Sequence, residues 1–129
     1  MLNLIPLMAQ NFFLVFIGGG IGSVCRYGIS VLLKGTAVDF PLATFIANLV
    51  SCVILGLFTG LVIKQVLNHP TQLLLLTGFC GGFSTFSTFT GETFKLLQNG
   101  QAGLAISYVL ISIIVCLICF YLGIKLTEY

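Results

Sequence analysis

The chain has 129 residues, of which 58% are hydrophobic and only 6% charged, with a mean hydropathy of +1.17. A soluble domain carries about a quarter of its residues as charge, so these figures exclude a water-soluble fold and make lipid the solvent. The formal net charge of +2 is spread thinly, without a run of Lys or Arg, which excludes nucleic-acid binding because no cluster is present to neutralise successive phosphates.

A helix needs about 20 apolar residues to cross the hydrocarbon core. The length therefore allows about four crossings joined by short connections, an all-α membrane protein forming a single domain over residues 1–129. The opening MLNLIPLMAQNFFLVF has neither a basic region nor a small-residue cleavage site, and reads as the approach to a first helix rather than a cleaved signal. That helix is predicted over 11–33 and is closed by Lys34, Gly35, Thr36 and Asp39. The second is predicted over 41–66, with Pro41 in its first turn and Lys64, Asn68, His69 and Pro70 near its end. The third, over 72–97, is apolar only to Phe83 and then reads STFSTFTGETFKLL, so half of it must face protein or water. A fourth apolar run covers 102–126.

This arrangement sends Lys64 and Lys125 to one side of the membrane and Lys34 and Lys95 to the other, so the positive-inside rule does not select an orientation. Two readings stand: one weakly biased orientation, or insertion both ways with antiparallel pairing of two copies.

Five cysteines, Cys25, Cys52, Cys80, Cys116 and Cys119, lie in apolar segments without zinc-like spacing and are expected to be reduced packing residues. Gly18, Gly19, Gly20 and Gly22 suit close helix approach. Arg26, ionised within a membrane segment, must face a partner or a wet cavity, either as a structural anchor or as an attractor for an anion. Asn48 would strand its carboxamide in lipid and must hydrogen-bond inward.

The stretch GFCGGFSTFSTFTGE, from Gly78 to Glu92, carries the most specific signal. Its glycines and the hydroxyls Ser84, Thr85, Ser87, Thr88 and Thr90 predict a helix broken near Gly81 to Ser84, with exposed carbonyls of the kind that bind ions in transporters. Phe83, Phe86 and Phe89 recur every third residue and are expected to share a face, their ring edges able to meet an anion. Glu92 could cap or anchor, and Tyr108 and Ser112, one turn apart on the fourth helix, could extend a polar track. No residue set reads as catalytic.

Taken together, the glycine-rich stretch ending in Arg26 and Tyr27, the Pro41 to Asn48 segment, GGFSTFSTF from Gly81 to Phe89, Glu92, and Tyr108 with Ser112 resemble the Fluc (CrcB) family of small fluoride channels. The resemblance covers nearly the whole chain. It implies passive, selective passage of fluoride across the cell inner membrane, lowering cytoplasmic fluoride. It also implies an antiparallel dual-topology homodimer with two pores and a structural sodium ion, not transported, at the centre of the interface. By position, Phe86 and Phe89 resemble the pore aromatics, Asn48 the pore amide, and Tyr108 and Ser112 the hydroxyl track, with Ser87 and Thr88 beside them. Gly81 and Ser84 match the carbonyl donors to sodium. The chain departs from the family pattern at Ala43 and Ser51, where glycine is common, and at Ser84, where threonine is frequent. Two rival readings are a small proton-coupled multidrug exporter, which would need a carboxylate in the first helix where this chain has Arg26, and a non-transporting accessory subunit, which would not need the hydroxyl and aromatic box.

Overall fold

The computed structural model describes residues 4–35 and 39–128. Thr36, expected in the first connection, lies outside the described residues. Four helical spans are long and apolar enough to cross a membrane, Leu7–Leu32, Leu42–Ile63, His69–Gln98 and Ala102–Lys125; among the described residues there is no strand. The chain is a multi-pass membrane protein. We name the helices α1 (Leu4–Leu32), α2 (Leu42–Ile63), α3 (residues 69–83), α4 (Phe86–Gln98) and α5 (Ala102–Lys125). Within α3 the segment Leu73–Cys80 is π-helical.

Helix ends follow local chemistry. The first helix begins at Leu4 rather than near residue 11, since Pro6 falls in its first turn, where the missing N–H costs no hydrogen bond. The second stops at Ile63 rather than 66, because Gln65 takes a left-handed φ of 58°, through which a right-handed helix cannot continue. Asn68 then caps α3, its Oδ1 accepting from Thr71 N at 3.0 Å and Thr71 Oγ1 at 2.7 Å, so that the third span starts at His69. Gly100, at φ 75°, closes α4: Gln101 N–H reaches back to the Leu96 carbonyl at 3.0 Å and the chain turns into α5.

The helices pack as two principal pairs, α1 with α3 and α2 with α5. In the first pair, Gly18 and Gly22 of α1 meet Gly78 and Gly82 of α3, and the backbones touch. A Cβ on Gly18 would strike the Leu74 carbonyl oxygen, one on Gly22 that of Phe79, and one on Gly82 that of Gly19. Close approach between small residues, driven by packing rather than by expelled water, is how helices associate in lipid.

In the second pair, Gly56 faces the Phe120 carbonyl and Gly123 that of Val53. Contacts rise together in residue number along both helices, so α2 and α5 run in the same direction. Thr44, Asn48, Cys52 and Gly56 recur every fourth residue on α2, opposite Tyr108, Ser112, Cys116 and Phe120 on α5. The interior is small: Ala47, Ala105 and Tyr108 are almost wholly enclosed, whereas Phe12 and Phe16 on α1 and Leu117 and Tyr121 on α5 project outward. Such outward apolar faces suit acyl chains or another protein surface.

A candidate anion site where the third span extends

Ser84 (φ −76°, ψ 158°) and Thr85 (φ −150°, ψ 118°) are extended and separate α3 from α4. Gly81 and Gly82 are themselves helical, so the extended step falls on the hydroxyl residues rather than on the glycines. Partners on other helices explain this. The Asn48 side chain accepts from Thr85 N at 2.8 Å and its Nδ2 donates to Thr85 O at 3.4 Å, replacing helical neighbours with a side-chain amide. Thr85 Oγ1 caps α4 by accepting from Thr88 N at 3.2 Å. On the α3 side three donors converge on the Cys80 carbonyl: Ser84 N at 3.0 Å, Ser84 Oγ at 3.0 Å and Ser51 Oγ at 3.2 Å. Each backbone group freed in the membrane interior must find such a partner.

The step also resets the helical phase. Phe83 is buried against Phe79 at a centroid distance of 5.5 Å, whereas Phe86 is 81% exposed. The expectation that Phe83, Phe86 and Phe89 share a face is therefore corrected to Phe86 and Phe89, whose ring centroids lie 5.9 Å apart.

These two rings form one wall of a cleft of about 240 Å³. Asn48 lines it from α2, Ser84 and Thr85 from the extended step, and Ser112 from α5. Ser112 Oγ is the one buried side-chain polar atom without a hydrogen-bond partner among the described residues. A hydroxyl left unpaired in an apolar surrounding costs about 1–3 kcal/mol, and Ser112 carries that cost beside this cleft.

The remaining candidates surround the cleft. Ser87 and Thr88 gather at Thr85 Oγ1, at 3.3 Å and 3.1 Å, on the exposed flank of α4. Tyr108 lies behind Phe89 at 4.9 Å, and its hydroxyl donates to Glu92 Oε2 at 3.0 Å. Thr44 Oγ1 donates to the other oxygen, Oε1, at 2.8 Å, so Glu92 bridges α2 and α5. Phe40 continues the line of rings, edge-on to Tyr108 at 5.1 Å. Arg26 is half-buried and directs Nε to the Gly82 carbonyl at 3.2 Å, joined by Ser23 Oγ at 3.4 Å. It meets main chain at the end of α3 rather than a carboxylate.

Sequence reasoning gave no individual role to Thr44 and Thr85. Thr85 stood among five hydroxyls, any of which could accept from a backbone N–H at a helix start. Thr44 is one turn before Asn48, a spacing that places both on one face.

The family described as "CrcB-like protein, Camphor Resistance (CrcB)" matches residues 13–124, a stretch that takes in every residue of this site. The chain belongs to the CrcB family. A protein of Azobacteroides pseudotrichonymphae, named fluoride-specific ion channel FluC, is 44% identical over 95% of this chain and 99% of its own length. Another from Bacillus licheniformis, named fluoride-specific ion channel FluC 2, is 46% identical over 92% of this chain and 88% of its own. A third from Pyrococcus horikoshii, named fluoride-specific ion channel FluC, is 42% identical over 89% and 94%. These three relatives thus align with this chain over most of its length.

Proposed function

We propose that this CrcB chain conducts fluoride passively across the cell inner membrane, lowering its cytoplasmic concentration, and that it works as an antiparallel homodimer. The carrying observation is the cleft, where an unpaired Ser112 hydroxyl, the Asn48 carboxamide and the Phe86 and Phe89 rings meet without a basic side chain among the lining groups. Fluoride is small and strongly hydrated, so a selective path must replace water with donors. Neutral hydroxyls, amides and ring edges can do this without trapping the ion as a ring of lysines would. The relatives named as fluoride-specific channels support the same reading.

A single chain has too few helices to enclose a path, and the outward faces of α1 and α5 leave room for a second copy. The near-balance of Lys64 and Lys125 against Lys34 and Lys95 favours antiparallel pairing. A structural sodium ion fits the residues present. Thr85 N–H is turned to Asn48, so it does not serve the Gly81 carbonyl, and a Cβ on Gly81 would meet nothing among the described residues. Gly81 and Ser84 would hold the ion through their carbonyls, two from each copy. The ion would supply a fixed positive charge near the anion path.

Efflux from liposomes containing only this polypeptide tests the channel reading. Fluoride is expected to leave down its gradient with chloride retained. Equal chloride flux, flux that requires a proton gradient as in an exporter, or no flux as in an accessory subunit would overturn it. Labelling of a C-terminal tag from each side of the membrane tests the dimer, with both orientations expected.

A further inference from the structure

We propose that Cys52 and Cys116 form a two-thiol site in the wall of the cleft for a soft divalent cation with two collinear sulfur ligands, the mercuric ion being the type. Register supplies the pairing: Cys52 follows Asn48 by one turn on α2, and Cys116 follows Ser112 by one turn on the parallel α5. Both side chains line the cleft, are free and are partly accessible. The two thiols thus share one wall of the same cleft. This relationship joins distant parts of the chain, which is why spacing alone marked these cysteines only as packing residues.

The chemistry selects the ligand. Sulfur favours soft cations over the hard ions that carboxylates and carbonyls take. Zinc in a structural site asks for four ligands, and among the described residues no group of three His, Cys, Asp or Glu could hold a metal. Charge decides the valence. Two neutral thiols and Hg²⁺ give a neutral Hg(SR)₂ and release two protons to water, with two S–H bonds broken and two Hg–S bonds formed. A monovalent ion bound by two thiolates would instead leave a net negative charge in an apolar wall, which is unfavourable.

Binding does not depend on the fluoride reading; its consequence for flux does, since the metal would then narrow the path below Asn48 and Ser112. The test uses the purified protein carrying Cys25→Ala, Cys80→Ala and Cys119→Ala, titrated with mercuric chloride while free thiols and released protons are counted. The first equivalent per chain is expected to remove both thiols and release two protons. After Cys52→Ser or Cys116→Ser it should remove one thiol, with affinity lower by roughly 100-fold because the second ligand is no longer tethered nearby. Should the triple variant not assemble, alkylation and peptide mapping of the natural chain after one equivalent should find Cys52 and Cys116 protected and the exposed Cys25 modified. One thiol per mercuric ion with the pair intact, or unchanged affinity after either serine substitution, overturns the proposal. In liposomes, mercuric chloride should block fluoride efflux in the pair-bearing protein at concentrations roughly 100-fold below those that block the Cys52→Ser variant. Absence of fluoride flux before mercury is added counts against the channel alone, because the thiol count still decides the site.

Discussion

Asn48 and Thr85 hold each other in both directions, the side-chain oxygen taking the Thr85 N–H at 2.8 Å and the side-chain nitrogen giving to the Thr85 carbonyl at 3.4 Å. The carboxamide thus stands in for a neighbouring peptide. Asn48 also lines the cleft. Asn48→Ala is expected to leave both Thr85 groups unpaired and to destabilise the protein by about 2 kcal/mol or more. Asn48→Asp removes the donor and adds negative charge, so fluoride efflux should fall by roughly tenfold or more. Denaturant unfolding in detergent and liposome efflux measure the two effects, and unchanged values in both assays would show the pairing to be incidental.

The Glu92 bridge predicts a separation between stability and packing. Tyr108→Phe keeps the ring against Phe89 and Phe40 but removes the donor to Glu92 Oε2. A loss of about 1–3 kcal/mol is expected, since Glu92 Oε2 is left short of a hydrogen bond. Glu92→Gln should cost less, because its amide oxygen can still accept from Thr44 or Tyr108. Reversal of that order in unfolding experiments would count against a bridging role.

Phe86 and Phe89 should respond differently to Ile. Phe86 is largely exposed within the chain, so Phe86→Ile is expected to lower efflux without lowering chain stability. Phe89 packs on Tyr108 at 4.9 Å, and Phe89→Ile should lower efflux and also cost about 0.5–1.5 kcal/mol of aromatic contact. If both variants conduct normally, the rings serve packing alone.

Gly81 and Gly82 are neighbours with opposite surroundings. A Cβ on Gly82 would strike the Gly19 carbonyl oxygen, whereas one on Gly81 meets nothing among the described residues. Gly82→Val should therefore destabilise the protomer, while Gly81→Val should leave the protomer folded and weaken only the pairing of two copies. Ser84→Ala should bind sodium almost normally, since its proposed ligand is main chain. Cross-linking in sodium against a bulky organic cation reads all three, and a Gly81→Val dimer as stable as the parent would place the interface elsewhere.

The four apolar spans are legible in the sequence because hydrophobic length is written locally, and so is the use of Gly18 and Gly22 for close approach. The position of the extended step is not. It depends on Asn48, 37 residues away from Thr85, supplying a substitute for the helical partner, and sequence spacing carries no sign of that. Phe83 falls on the wrong face for the same reason, since a periodicity counted across an extended pair loses its phase. The shortened α2 turns on a left-handed Gln65, a conformation that a glutamine seldom adopts. Among the site residues, Asn48, Phe86, Phe89 and Ser112 converge as a group, while the attachment of Tyr108 to Glu92 requires both helices to be in place.

The register of α2 against α5 gives the protomer a gradient. Following the two helices in their common direction, the facing positions pass from Thr44 and Tyr108, through Asn48 and Ser112, to Cys52 and Cys116, and end on Gly56 and the Phe120 backbone. Side-chain polarity fades along that line, so one copy by itself has a front and a back. In an antiparallel pair the two gradients are opposed, and the assembly presents the same face to either side. Current through such a dimer should be equal for equal and opposite voltages, leaving the fluoride gradient alone to decide the direction of net flow.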